Sequence, residues 1–355
     1  MIVSKIAQII NYKIESSSIT INNYISTENL IPNFGGIMQA SSLPTNKVTS
    51  FKKNDILISN IRPYFKKIWF SNIDGGCSND VICLRIIDNR VIPKYLYYLL
   101  NTNHFIETYV SSSKGTKMPR GDKNVLLNYR FELPNLKIQQ HIVDTIGSID
   151  DLIEKYDEII MKIVELGDLI TEKTSSFSRL YELCSIELGG TPSRQKTNYW
   201  GGNNKWLNSG AATNVTVITQ ESEFITDMGI SNSSTKFGGY GDTILSIMEP
   251  DTNKISLLSD TYYFNQSIIS LRSFEETSQG AVFFGIRNAM KTIKTLKNGA
   301  AQQSINKEIL INSIIPFDNK YSKNLNVLSK QLINFALSIR NLNNVKKNLL
   351  EKFFQ

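Results

Sequence analysis

A heptad rhythm constrains this chain more than any other feature. After Pro134 in FELPNLKIQQHIVDTIGSIDDLIEKYDEIIMKIVELGDLI (131–170), apolar residues fall at Ile142, Ile146, Ile149, Ile153, Tyr156, Ile160, Ile163 and Ile170. The steps alternate between four and three, broken only where Gly167 holds a seam position. The spacing predicts a helix over residues 138–173, about 54 Å long at 1.5 Å per residue, that packs along its length on another helix. A second seam closes the sequence at Leu325, Leu328, Leu332, Phe335, Ile339, Leu342, Leu349 and Phe353, with Lys346 as its polar position. It predicts a second rod of roughly 45 Å.

The two rods differ in charge. Residues 138–173 carry nine acidic and three basic side chains, and residues 324–355 carry one acidic and five basic. Opposite signs beside two seams favour pairing with each other over pairing with a copy of oneself, so the expectation is a two-helix coiled coil within the chain. The alternative is two amphipathic helices that each cover a separate core. The net charge is +7, of which the two helical segments contribute −2, so the remainder holds +9. Positive charge concentrated there suits a polyanionic partner.

The 355 residues suffice for two domains, and 41% hydrophobic against 20% charged residues is a folding composition. Cys77, Cys83 and Cys184 lack metal-ligand spacing, and the histidines are His104 and His141. Neither a zinc site nor a disulfide framework is expected, and reduced thiols in a cytoplasmic protein are the plain reading. No signal peptide and no membrane span are expected from the hydropathy of the chain.

Each predicted rod follows a globular segment, which raises the question of duplication. KNDILISNIRP (53–63) and GYGDTILSIMEP (239–250) align Asp55 with Asp242, Ser59 with Ser246 and Pro63 with Pro250. CSNDVICLR (77–85) resembles FNQSIISLR (264–272), with Asn79 set against Asn265. KGTKMPRGDKNVLLNYRFELPN (114–135) resembles NGAAQQSINKEILINSIIPFDN (298–319), with Gly115 against Gly299. The expected plan is domain, helix, domain, helix: residues 1–135, 136–175, 176–320 and 321–355. The fold class is α+β, with two similar mixed domains separated by long antiparallel helices about a pseudo-two-fold axis. ILISNI, VICLRII, ILSIM and SIISLR read as strands, and residues 92–110 as one helix with Pro93 near its start.

This layout resembles the specificity subunit of type I DNA restriction–modification systems, over essentially the whole chain. ELPNLKIQQHIVDTIGSID resembles the family's entry into its central helix, with Gln139 and Gln140 at the Glu-Gln positions. LGGTPSRQKTNYWGG (188–202) followed by KWLNSG (205–210) resembles the opening of a target-recognition domain. FKKNDILISNIRP resembles the GD-IL-S-RP segment, with Asn54 in place of its glycine. The second copy departs from the pattern: SIIPFDNKYSKNLNVL replaces a clean LP entry. The resemblance implies a non-catalytic subunit whose two target-recognition domains each read half of a split site on double-stranded DNA. The helices would set the half-sites about a turn of duplex apart, roughly 34 Å. It also implies docking of two methyltransferase subunits, which hold S-adenosylmethionine and methylate adenine N6, and allows for two motor–nuclease subunits. No cofactor is expected in this chain.

Candidate DNA contacts fall in four stretches. Lys114, Lys117, Arg120 and Lys123 surround two glycines in SSSKGTKMPRGDK, where a basic loop suits phosphates or a guanine edge; a solvated loop is the plain alternative. The matching loop of copy two offers Asn298, Gln302 and Gln303, types that pair with adenine. Arg62, Lys66 and Lys67 are interleaved with aromatics in NIRPYFKKIWF, which suits phosphate contact, or else an edge strand guarded by lysines. Ser193, Arg194, Lys196 and Lys205 lie around Trp200, itself read as a packing anchor. FGGYG (237–241) fits a methyltransferase cofactor pattern, but the repeat places it at a turn before a strand, and no N-P-P-Y or D-P-P-F tetrapeptide or phosphate loop is present. A helical scaffold for protein partners is the rival reading, separable by retention of duplex DNA at low salt; a self-contained DNA enzyme is a third.

Overall fold

The computed structural model describes residues 1–113, 117–248, 250–295 and 305–354. They fall into two compact units, Met1–Asp151 with Asn343–Gln355, and Leu152–Leu342. Both long helices form, as Leu136–Glu172 and Asn319–Phe353, and each contributes a segment to each unit. Their starts are capped alike. Asn135 Oδ1 accepts from Ile138 N at 3.0 Å, and Asp318 Oδ1 accepts from Lys320 N at 2.8 Å. A short polar side chain satisfies a first-turn N–H in both, so the second copy starts its helix without the LP entry.

In the first unit, the sheet order is Ala7–Ile9, Val81–Ile86, Ile56–Ser59, Ile68–Phe70. In the second, it begins Cys184–Leu188, Ile268–Ser273, Thr243–Ser246, Ile255–Leu258 and adds Val217–Ile218 at the edge. The registers repeat residue for residue. Ile56 pairs with Leu84 and Phe70, and Thr243, 187 residues later, pairs with Leu271 and Leu257. A second small sheet repeats too. Gly75–Cys77 lies between antiparallel Val48–Phe51 and parallel Tyr24–Ile25, just as Tyr262–Phe264 lies between antiparallel Lys236–Gly238 and parallel Trp200–Leu207.

The aspartates matched in sequence do the same work. Asp55 is 2% exposed at its side chain and receives Arg85 through two bonds of 2.8 and 2.6 Å, while its Oδ2 also accepts from Lys52 N. Asp242, 5% exposed, receives Arg272 Nε at 2.8 Å and Gly239 N at 2.7 Å. A buried carboxylate is tolerated only when charge and donors meet it, and here it also fixes the turn into the central strand. Burial pushes the Asp242 carboxyl up despite Arg272. The residues just before the aspartates, Asn54 and Gly241, have φ of 72° and 82°. That left-handed turn explains why asparagine, which tolerates it, stands where the resemblance expects glycine.

Two readings need correction. The strand registers and the matched bonds Val81 N to Ser78 O and Ile268 N to Asn265 O align Ser78, not Asn79, with Asn265; the sequence match slipped by one. Residues 92–110 form two helices, Pro93–Leu99 and Asn103–Ser111, because Thr102 leaves the helical path and accepts from Phe105 N as a cap. Copy two keeps one helix, Gln279–Thr295. The match of Gly115 to Gly299 lies outside the described residues.

Each unit buries parts of both long helices. In the first, Ile142, Ile146 and Leu350 join a core with Tyr98, Phe105 and Leu126. His141 meets the Phe353 ring at 6.0 Å, so the start of one helix packs beside the end of the other, antiparallel. Lys346, the polar seam position, bonds Asp150 Oδ1 at 2.6 Å, and Tyr98 donates to Asp150 Oδ2 at 2.7 Å. Burial and the Asp150 charge push the Tyr98 hydroxyl up, so it stays a donor. Gln139, fully buried, donates to Arg90 O and Pro134 O and accepts from Ile92 N, tying the helix entry to the first sheet's domain. In the second unit, Ile163, Leu325, Leu332 and Ile333 share a core with Phe283 and Phe284, and Tyr156 meets Phe335 at 5.1 Å. Gly167 interrupts the seam because a Cβ there would sit 2.1 Å from the Phe284 ring. Asp168 is held by Arg287 of the neighbouring helix, at 3.1 and 2.8 Å.

The three cysteines are buried and free. Burial pushes the thiols of Cys77 and Cys184 up to about 12. Among the described residues no cluster of His, Cys, Asp and Glu suits a metal, and no helix is long and apolar enough to cross a membrane.

Candidate nucleic-acid interface

In the first unit, the strand Ile56–Ser59 runs into NIRPYFKK and the chain reverses through a short 3-10 turn, Pro63–Phe65. Arg62 and Lys66 bracket it with φ of 49° and 54°. Asn33 and Phe34, in the facing loop, have φ of 56° and 60° and donate their N–H groups to Phe65 O and Lys66 O at 2.9 and 3.0 Å. Four non-glycine residues in the left-handed region thus meet at one place. Side chains reach that region at a cost of about 1 kcal/mol or more each, and such costs gather at functional loops. Pro63 is buried and anchors the turn, while Tyr64 and Phe65 are 47% and 38% exposed, their rings 4.7 Å apart.

The basic loop packs beside this turn. Arg62 N donates to Pro119 O at 2.7 Å, Gly121 N donates to Asn60 O at 3.0 Å, and Ile61 bridges Arg120. Gly121 is required by close approach, since a Cβ there would lie 2.2 Å from the Tyr109 ring. The structure therefore brings Arg62, Lys66, Lys67 and Arg120 onto adjoining segments, with Lys117 and Lys123 exposed nearby in sequence. They are not equally free. Arg120 Nη2 bonds Asp80 at 2.9 Å, both side chains well exposed. Lys66 lies 3.5 Å from Asn103 Oδ1. Lys67 donates to Thr27 O at 2.7 Å, and burial pulls its ammonium below the usual lysine range. Asp80 also lines a polar cleft of about 300 Å³ with Ser26, Thr27, Asn29, Ser41 and Ser78.

In the second unit the candidate loop is a stacked arrangement. The Arg194 guanidinium lies 3.5 Å from the Trp200 ring centre and makes a two-bond pair with Glu223 at 2.6 and 2.7 Å. Hydrogen bonding from Arg194 holds the Glu223 carboxyl below its usual range. Ser193 O accepts from Trp200 Nε1 at 3.2 Å, and the Trp200 ring meets Trp206 edge-on at 5.1 Å. Trp200 is thus the anchor the sequence suggested, and it organises the loop's cation as well. Lys196 donates to Tyr199 at 2.9 Å, and Lys205, on the strand Trp200–Leu207, pairs with Asp260. Hydrogen bonding to Asp260 raises the Lys205 ammonium. Lys114, Asn298, Gln302 and Gln303 lie outside the described residues.

Sequence reasoning missed the carboxylates Asp80, Glu223 and Asp260 that meet these cations, because each lies far along the chain from its partner. It also missed Asn33 and Phe34, for which the turn-forming run NFGG (33–36) was the available signal.

The family model for the type I restriction modification DNA specificity domain matches residues 3–164 and again 172–344. The HindI type I restriction enzyme specificity subunit of Haemophilus influenzae is 26% identical over 141 residues, 38% of this chain and 30% of that protein. The match thus spans less than a third of that curated relative's length. The crystal structure of a type I restriction–modification S subunit from M. genitalium aligns over 100% of this chain and 95% of its own, at 14% identity and a TM-score of 0.57. That likeness is one of fold.

Proposed function

Because the chain belongs to the type I restriction modification DNA specificity domain family, we propose that it is the DNA-recognition subunit of such a complex and performs no chemistry itself. Each unit's reader domain contacts one half of a bipartite duplex site. The long helices set the spacing of the halves and dock two methyltransferase subunits, which bring S-adenosylmethionine and methylate adenine N6. Where two motor–nuclease subunits join, the complex also cuts unmethylated DNA.

The observation that carries this reading is the double match of the family over two units with the same strand registers and different loops. A shared frame with unlike loops suits two unlike half-sites. Arg62, Lys66, Lys67 and Arg120, with Lys117 and Lys123, are the first reader's contacts in this reading. Ser193, Arg194, Lys196 and Lys205, with Asn298, Gln302 and Gln303, serve the second, and Lys114 the first. An arginine held against an exposed carboxylate exchanges that partner for phosphate or guanine at modest cost, since exposed pairs are worth about 0–1 kcal/mol.

The test is binding to random duplex DNA across a salt series. A recognition subunit shows retention at low salt and a steep fall of log K with log salt, the slope counting displaced counterions. No retention at any salt removes the reading in favour of a protein scaffold.

A further inference from the structure

The turn Arg62–Lys66 displays two aromatic rings on a backbone that is expensive to build. Tyr64 and Phe65 stand exposed between two left-handed residues, on a proline base, with the Phe65 and Lys66 carbonyls clamped by the facing loop. Arg62 bears a further cost, its Nε being buried without a hydrogen-bond partner among the described residues. Pro63 is the buried residue of the turn, whereas Tyr64 and Phe65 belong to none of the hydrophobic core clusters of the described residues. The corresponding stretch of the second unit, 187 residues on, has Asp251 and Thr252 instead of the two aromatics. Asp251 caps Thr252 N at 2.6 Å and pairs with Lys294 of the helix Gln279–Thr295 at 2.5 Å, so that turn caps itself and is tied to a helix.

Resting on the reading above, we propose that Tyr64 and Phe65 form an aromatic wedge with which the first reader, and not the second, stacks on bases of its half-site. Arg62 and Lys66, on either side, hold the neighbouring phosphates. Apolar side chains unstack a duplex step when the energy of stacking on a ring replaces that of the step, and a rigid turn limits the entropy lost on insertion. The wedge makes the first half-site sensitive to how easily its steps unstack, beyond any hydrogen-bond readout.

The experiment uses the full chain and a pool of random-sequence duplexes. The bound sequences are enriched with the unaltered protein, then tested with the Tyr64→Ala/Phe65→Ala double variant and with Tyr64→Trp. Both positions are exposed, and thermal melting of each variant checks that the fold is kept. The expected result is two enriched blocks for the unaltered chain. The double variant should lose the sequence preference in one block, bind about tenfold or more weakly, and keep the salt slope, because the phosphate contacts remain. Tyr64→Trp, which keeps a ring at the tip of the turn, should bind as the unaltered chain does. A 2-aminopurine placed in the sensitive block should brighten with the unaltered chain and not with the double variant. Unchanged affinity and unchanged blocks in the double variant overturn the wedge and leave the recognition reading standing. Absence of any enriched sequence with the unaltered chain overturns both.

Discussion

The two units share a frame and differ in what they mount on it. The pairs Asp55–Arg85 and Asp242–Arg272 sit at the same register, before the same strand, behind the same left-handed turn. Beyond the end of that strand the first unit has a strained aromatic turn beside a basic loop, and the second has an acidic, self-capped turn. Positions that terminate a buried carboxylate have few solutions, so both copies use the same one. Loops that meet a ligand are free to diverge once the frame holds their ends.

The comparison breaks first, and most strongly, at the buried pair. Arg85→Ala leaves Asp55 buried without its cation and should cost about 3 kcal/mol. Arg272→Ala removes a cation that is 43% exposed and makes a single close bond, and should cost about half as much. Urea unfolding of both variants, with a probe in each unit, checks the order; equal losses would mean the two pairs are energetically alike. Next come two glycines on the central helix. Gly167→Ala drives a methyl into the Phe284 ring and should destabilise by about 1–2 kcal/mol, overpacking less the gain in helix propensity. Gly147→Ala meets the flexible end of Lys94 at 3.4 Å and the Tyr98 hydroxyl at an ordinary 3.7 Å, and should be neutral or stabilising by up to about 1 kcal/mol. Thermal melting should therefore fall for Gly167→Ala and stay level or rise for Gly147→Ala.

Smaller effects sharpen the contrast between the readers. Arg120→Ala should weaken DNA binding by about tenfold and relax one half-site only, as read by selection from a random duplex pool. Loss at both halves would count against separate readers. The smallest effect concerns the thiols. With Cys77 and Cys184 pushed up to about 12, almost no thiolate exists at pH 8. Treatment of the native chain with a thiol reagent should therefore modify neither residue until denaturant is added.

The frame was legible in the sequence because its determinants are periodic or repeated. The seam positions Ile142, Ile146, Ile163 and Leu332 are buried, and the Asp55–Asp242 match survives at the level of strand register. Even the two seam breaks have reasons, Gly167 yielding to Phe284 and Lys346 reaching Asp150. The opposite charges of the helices were a looser guide. Lys346 does reach across to Asp150, but Asp168 is satisfied by Arg287 of the helix Gln279–Thr295 and not by the other long helix. The break in the helix over 92–110 is not legible locally, because Thr102 is apt both to continue a helix weakly and to cap a new one. The candidate site was legible only in its composition. That Arg194 lies on Trp200 and grips Glu223, or that Asn33 and Phe34 clamp the aromatic turn, depends on contacts between distant segments that no local pattern encodes.

The most direct test is to map methylated adenines in the genome of the host with and without an intact copy of this chain's gene. Two readers of unlike loops predict that the intact gene adds one methylated motif made of two different specific blocks with an unspecified gap of fixed length. Exchanging the second reader for another should change one block alone. A single continuous motif, two identical blocks, or no methylation dependent on this chain would contradict the account.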